Sequence, residues 1–224
     1  MRCSIILILV ITSVLGMSGC SSDDIVQEAC LRGEGNREDM EIPGIAGFNS
    51  IAMFFPGELI ITQGANFSLE ITAQDTIAEA MTKEVVDGEL QLRFDRCIIA
   101  FDSIFVRVTM PDIESLKLEG SGNIIAENDW NLDNLDLSIS GEGNATLTGT
   151  VENFNISLEG TGDVHAFDLE STNCSVNLSG MGNVEVFANN TLDVNIQGSG
   201  NVNYKGNPTV TSEISGIGSV INSN

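Results

Sequence analysis

Leu137-Ser-Ile-Ser-Gly-Glu-Gly-Asn-Ala-Thr-Leu147 and Val176-Asn-Leu-Ser-Gly-Met-Gly-Asn-Val-Glu-Val186 are two copies of one pattern, and that pattern decides the fold. In each copy every second residue is aliphatic or glycine, and the alternation passes through the glycine pair without changing phase. Such a period of two means β-strands with one dry and one wet face. The same parity holds in Leu116, Leu118, Gly120, Gly122, Ile124 and Ala126, in Ile156, Leu158, Gly160, Gly162, Val164 and Ala166, and in Val194, Ile196, Gly198, Gly200, Val202 and Tyr204. The residues between them are mostly Ser, Asn, Thr, Asp, Glu and Lys, which suit a solvated face and disfavour a slipped register.

Working outward, Gly-x-Gly recurs at Gly120 and Gly122, Gly141 and Gly143, Gly160 and Gly162, Gly180 and Gly182, Gly198 and Gly200, and Gly216 and Gly218, with spacings of 21, 19, 20, 18 and 18 residues. A period near twenty is the mark of a solenoid. The glycines fall on the apolar parity, where a bend would crowd a Cβ, so each pair reads as the corner of a coil. A third apolar segment lies between corners (Trp130 and Leu132, Val151 and Phe154, Phe167 and Leu169, Phe187 and Leu192, then Val210). Three short strands per coil of about twenty residues predict a three-sided parallel β-helix, all-β in class. Asn123, Asn144, Asp163, Asn183 and Asn201 follow the first five pairs, with Ser219 after the sixth. Stacked about 4.8 Å apart, these side chains would form a ladder, with the charge of Asp163 expected to interrupt it.

The strand-like runs at 58–62, 67–72, 89–94 and 104–109 lack the glycine signature and read as earlier, less regular coils. The expected organisation is a signal sequence over 1–19, a linker and N-terminal cap over 20–47, and a β-helix over 48–224. Arg2 and the short apolar run from Ile5 to Leu15 form the signal. Leu15-Gly-Met-Ser-Gly-Cys20 resembles the lipobox of bacterial lipoproteins, which implies that Cys20 is acylated and becomes the anchored N-terminus, membrane-bound through its lipid.

The formal charge is −23, and −24 on the 205 residues that remain after the signal. From Glu119 onward fourteen Asp and Glu face one cation, Lys205, so nucleic acid is excluded as a partner on Coulombic grounds. The acidic excess reads first as a solvated surface, with a calcium-binding surface as the second reading. Of five cysteines, Cys3 lies in the signal and Cys20 carries lipid. Export permits one disulfide among the other three, expected between Cys30 and Cys97. Cys174 shares parity with Val176 and Leu178 and reads as a buried small hydrophobe.

Phe48-Asn-Ser-Ile51, Leu59-Ile-Ile-Thr-Gln-Gly64, Val86-Asp-Gly-Glu-Leu90, Val106-Arg-Val-Thr-Met-Pro111 and Leu116-Lys-Leu-Glu-Gly-Ser-Gly-Asn-Ile124, followed by the glycine units, together resemble the head-GIN-domain proteins of Bacteroidetes, a family of autotransporter-type adhesins. The resemblance runs from about residue 45 to residue 224. It implies a right-handed β-helix, an outer-membrane or cell-surface location, and adhesion to a glycan or protein. Asp23 and Asp24 look like that phylum's acidic export signal for surface lipoproteins. Asp75-Thr-Ile77 and Asp102-Ser-Ile104 are similar to its glycosylation motif.

Right-handed β-helices also host pectate-lyase-like enzymes, so a carbohydrate-active enzyme is the alternative function, with a non-catalytic structural role in the envelope as the third. Lyases need a cationic base beside calcium carboxylates, and hydrolases need paired carboxylates. From Glu119 onward the coils offer Lys205 alone as cation, and neighbouring coils repeat no acid at a common position, Glu142 being the only acid between paired glycines. His165 falls on the wet parity without a metal-spaced partner. Trp130 and Tyr204 read as packing residues. The glycine units precede strands, not a helix, which excludes a phosphate loop, and they miss the nine-residue calcium repeat. No catalytic residue, metal or cofactor is expected.

Overall fold

The computed structural model describes residues 30–224. The signal sequence, Cys20, Asp23 and Asp24 lie outside the described residues. In chain order the elements are β1 (Leu31–Arg32), β2 (Arg37–Glu41), β3 (Ser50–Met53), β4 (Gly57–Gln63), β5 (Ser68–Gln74), α1 (Asp75–Ala80), β6 (Met81–Val86), β7 (Glu89–Phe94), β8 (Ile98–Ile99) and β9 (Phe105–Met110). They continue as β10 (Ser115–Leu118), β11 (Ser121–Ala126), β12 (Trp130–Ile139), β13 (Glu142–Leu158), β14 (Val164–Leu178), β15 (Val184–Ile196), β16 (Val202–Lys205), β17 (Thr209–Ile214) and β18 (Val220–Asn222).

From β10 onward the chain is a parallel β-solenoid whose coils stack in register. On the first face Leu118, Ile139, Leu158, Leu178, Ile196 and Ile214 pair in succession. The second face, reached through the glycine corner, stacks Ile124, Ala145, Val164, Val184, Val202 and Val220. A third face lays Trp130–Leu132 against Gly149–Val151, and these against Leu169–Ser171. The strands β13, β14 and β15 run unbroken around the corners. The inward aliphatics of all three faces fill one continuous core, buried from Ile124 through Val202.

The uneven spacing of the glycine pairs has a structural cause. Opposite β13, the register of β14 shifts between Thr146↔His165 and Thr148↔Asp168, where one extra residue is absorbed. Between β14 and β15 the shifts fall after Ala166 and after Ser171. Insertions and deletions are thus taken up at the two corners without paired glycines. Phe167 sits at this irregularity, half-exposed, with the Lys205 Nζ 4.4 Å from its ring centre. It does not join the third-face core expected from its aromatic character. That segment is Trp130–Leu132 with its stacked counterparts, whereas Leu135, Phe154, Cys174, Leu192 and Val210 form a separate column at the next corner.

The region before β10 departs from the expected succession of coils. The strands β3 and β4 do form a coil directly beneath β10 and β11, with Gly57 aligned on Gly122. The coil beyond it is made by β7 and β9, later in sequence. The strand at 68–74 pairs antiparallel with β9, β2 pairs antiparallel with β5, and β6 turns back antiparallel on β7. Residues 64–110 are therefore an excursion that builds and caps the N-terminal end. α1 packs against β1, β2 and β5 and buries Ile77 and Ala78 there. A disulfide joins Cys30 to Cys97 beside the short parallel pair β1 and β8.

Candidate functional site

The paired glycines are set by contact between coils. A Cβ added at Gly141 would overlap the carbonyl oxygen of Gly120, and one at Gly143 would overlap that of Gly122, with Gly143 also at φ +151°. The same collision recurs at each later pair, the obstacle being the corresponding glycine one coil below. Gly162 would meet the carbonyl oxygen of Gly143, Gly182 that of Gly162, Gly200 that of Gly182, and Gly218, in the last coil, that of Gly200. The first glycine of each pair is excluded from carrying a side chain in the same way, Gly180 by the carbonyl oxygen of Gly160 and Gly216 by that of Gly198. The expectation of a bend that crowds any Cβ thus holds, and what does the crowding is the backbone of the neighbouring coil. Gly57 at φ +153° continues this corner into the coil of β3 and β4 without a Gly-x-Gly sequence to announce it.

Beside this corner runs the ladder of Asn123, Asn144, Asp163, Asn183 and Asn201. Its constant bond goes from a backbone N–H to the side-chain oxygen one coil below: Asn144 N to Asn123 Oδ1 (3.3 Å), Asp163 N to Asn144 Oδ1 (2.9 Å), Asn183 N to Asp163 Oδ1 (2.7 Å), Asn201 N to Asn183 Oδ1 (3.2 Å) and Ser219 N to Asn201 Oδ1 (3.1 Å). The side chain serves first as an acceptor, which a carboxylate supplies as well as an amide. Asp163 therefore does not interrupt the ladder: its Oδ1 also accepts from Asn183 Nδ2 at 3.2 Å. Having no N–H in its side chain, it omits only a bond to the coil below like the one that the Asn144 amide makes to Asn123.

A second ladder escaped the sequence reading. Asn153 Nδ2 donates to Asn134 Oδ1 at 3.0 Å, Asn173 Nδ2 to Asn153 Oδ1 at 3.1 Å, and Asn190 Nδ2 to Asn173 Oδ1 at 3.0 Å. Their intervals of 19, 20 and 17 residues follow the same repeat, but no glycine pair marks the corner they occupy.

The first face lies between these two ladders and carries the continuous polar surface. One column of outward residues is Lys117, Ser138, Ser157, Asn177, Asn195 and Glu213, in parallel register. A shallow groove is lined by Ser157, Glu159, Asn177, Ser179, Asn195 and Gln197. It adjoins another lined by Ser175, Asn177, Asp193, Asn195, Thr211 and Glu213. The joined grooves are rich in amides and hydroxyls and hold no aromatic ring, so they can hydrogen-bond a ligand along its length but cannot stack a planar one. At the N-terminal end of this face Lys117 donates to Glu89 Oε2 at 2.7 Å, and that hydrogen bond holds the lysine pKa above its usual value.

The remaining candidates are dispersed. His165 Nδ1 lies 2.9 Å from Glu185 Oε2 on the second face, away from the grooves. Trp130 is buried under the third face, with its Nε1 unpartnered, and Tyr204 is half-buried against the core. Cys174 is a buried free thiol, and burial pushes its pKa up to about 12. Thr76 Oγ1 accepts from Glu34 N and donates to Arg32 O, whereas Ser103 is exposed in the loop before β9. Among the described residues no group of three His, Cys, Asp or Glu is placed to hold a metal, and no helix is long and apolar enough to cross a membrane.

The family model described as "Putative auto-transporter adhesin, head GIN domain" matches residues 47–208. Among solved structures, a "putative adhesin" from Bacteroides fragilis superposes with a TM-score of 0.73 at 21% identity, covering 86% of this chain and 99% of its own. A "putative lipid binding protein" from Parabacteroides distasonis gives 0.55 at 23% identity, covering 87% and 99%. A second P. distasonis protein, also named "putative adhesin", gives 0.51 at 21%, covering 86% and 99%. These identities speak for a shared fold. No curated protein matches the chain.

Proposed function

Since this chain belongs to the head GIN domain family of auto-transporter-type adhesins, we propose that it is an envelope lipoprotein, anchored through Cys20, that binds an extended neutral glycan along the first face of its solenoid. The observation that carries this reading is the joined groove around Asn177 and Asn195. It presents amide and hydroxyl groups at steps of about 4.8 Å, set by strand spacing. The grooves themselves carry Glu159, Asp193 and Glu213 within a strongly acidic chain, which favours a neutral ligand over an anionic one. Without a ring to stack on, each sugar contact is weak, so affinity accumulates over several coils or several copies.

The acyl chains on Cys20 would hold the protein at the outer membrane and leave the solenoid free in water. The function requires no catalytic group: His165 is engaged with Glu185, and Lys205 lies over Phe167.

The test is a glycan array probed with the chain from residue 21, beside the double substitution Asn177→Asp and Asn195→Asp, which keeps size and adds charge. Binding to neutral glycans that falls by about tenfold or more in the variant, with unchanged thermal unfolding, supports the reading. No binding, or binding indifferent to the variant, contradicts it. Release of unsaturated or reducing ends from acidic polysaccharides would establish the enzyme alternative. For the anchor, Cys20→Ser should abolish incorporation of labelled palmitate.

A further inference from the structure

The last described coil differs from those beneath it. Of seven large apolar side chains that are exposed among the described residues, four belong to it: Val210 (36%), Ile214 (44%), Ile217 (79%) and Ile221 (42%). Val210 and Ile214 stand in the core columns above Leu192 and Ile196, and their exposure means that no described residue covers the core at this end. The strands β17 and β18 each pair on one side only, with β15 and β16. An apolar, half-paired strand edge is a template for strand addition. The coil is also almost uncharged, Glu213 being the only ionisable side chain from Asn207 to Asn224 in a chain of formal charge −23.

We propose that this end is a self-association surface, on which β17 of one copy pairs antiparallel with β17 of a second across a two-fold axis and the two open cores close on each other. Charge singles out a second copy as the occupant. Two strongly acidic chains repel wherever carboxylates face each other, and this end is where they are nearly absent. The opposite end cannot serve as the complement. On the face of β17 its edge strand is β6, where Lys83 and Glu84 stand beside the exposed Val85 and Val86; on the second face it is β2, with Arg37, Glu38, Asp39 and Glu41; and α1 packs there as well. Head-to-tail stacking into filaments is thereby blocked, and a like-with-like contact that closes at two copies remains.

The core and both sheets lie within residues 30–224, so the chain from residue 21 retains the whole fold. Sedimentation equilibrium of that chain, up to about 100 μM, should show a monomer–dimer equilibrium. Ile214→Asp, in the uncovered core column of β17, should weaken it at least about tenfold without changing the far-ultraviolet spectrum. Hydrogen exchange should show the amides of 209–214 slowing as concentration rises. A monomer throughout the range overturns the proposal. So does a dimer that survives Ile214→Asp unweakened, one whose 209–214 amides exchange as freely as in the monomer, or assembly that continues past two copies. None of these outcomes depends on glycan binding, so this inference and the proposed function fail separately.

Discussion

At the scale of single residues, the ladder beside the glycine corner rests on acceptors. Asp163→Asn keeps the oxygen that Asn183 N uses and adds an N–H within reach of Asn144, so stability should change by less than about 1 kcal/mol. Asp163→Ala removes a charged acceptor from two donors and should cost roughly 1.5–3 kcal/mol in urea unfolding. Gly143→Ala is of another order, because the new Cβ meets the Gly122 backbone and the residue sits at φ +151°. A loss on the order of 4 kcal/mol, or failure to fold, is expected. Cys174 ties stability to alkaline pH. Its thiol ionises near 9.0 when the chain is unfolded and at about 12 when folded, so the unfolded state sheds protons first and stability falls as pH rises through that window. Cys174→Ala should flatten the decline of the urea midpoint between pH 9 and pH 11, and native Cys174 should resist alkylation until the chain is unfolded.

At the scale of elements, the strands from β10 onward were legible because a single repeat fixed both alternation and spacing. A one-residue slip would have turned every aliphatic outward. The direction of pairing before β10 was not legible. Leu69 and Ile71 alternate as Leu59 and Ile61 do, yet β5 runs antiparallel to its neighbour and β4 parallel, since alternation records which face is buried and carries no trace of strand polarity. α1 was missed because six residues with two buried side chains give too short a pattern. The polar face of the candidate site was visible only as a list of wet-parity residues. Which of them line one groove depends on register, and register depended on where the irregular corners fall. Those corners tolerate length change: deletion of Phe167, which restores a 19-residue interval there, should cost under about 2 kcal/mol in thermal unfolding, whereas deletion of Glu159, beside a glycine pair, should prevent folding.

At the scale of the whole molecule, one column of core is closed at its N-terminal end by antiparallel strands, α1 and a disulfide, and is open at the other. The disulfide spans 67 residues of sequence, so replacing both cysteines by serine should destabilise the protein by roughly 2–4 kcal/mol in the chain-entropy picture, read as a lower melting point. The binding face exists only if the coils lie directly over one another. Lys117 and Glu213 stand at the same position of coils five steps apart, which places them about 24 Å from each other although nearly a hundred residues intervene. Pulsed electron–electron resonance between nitroxides on Lys117→Cys and Glu213→Cys measures that separation. To keep a second copy from adding its own distances, doubly labelled chain is diluted into an excess of unlabelled protein. A single narrow distribution within a few ångströms of this distance, the length of the labels allowed for, is the predicted result. A broad distribution, or a separation beyond about 40 Å, would show that the coils do not stack and that no continuous face exists.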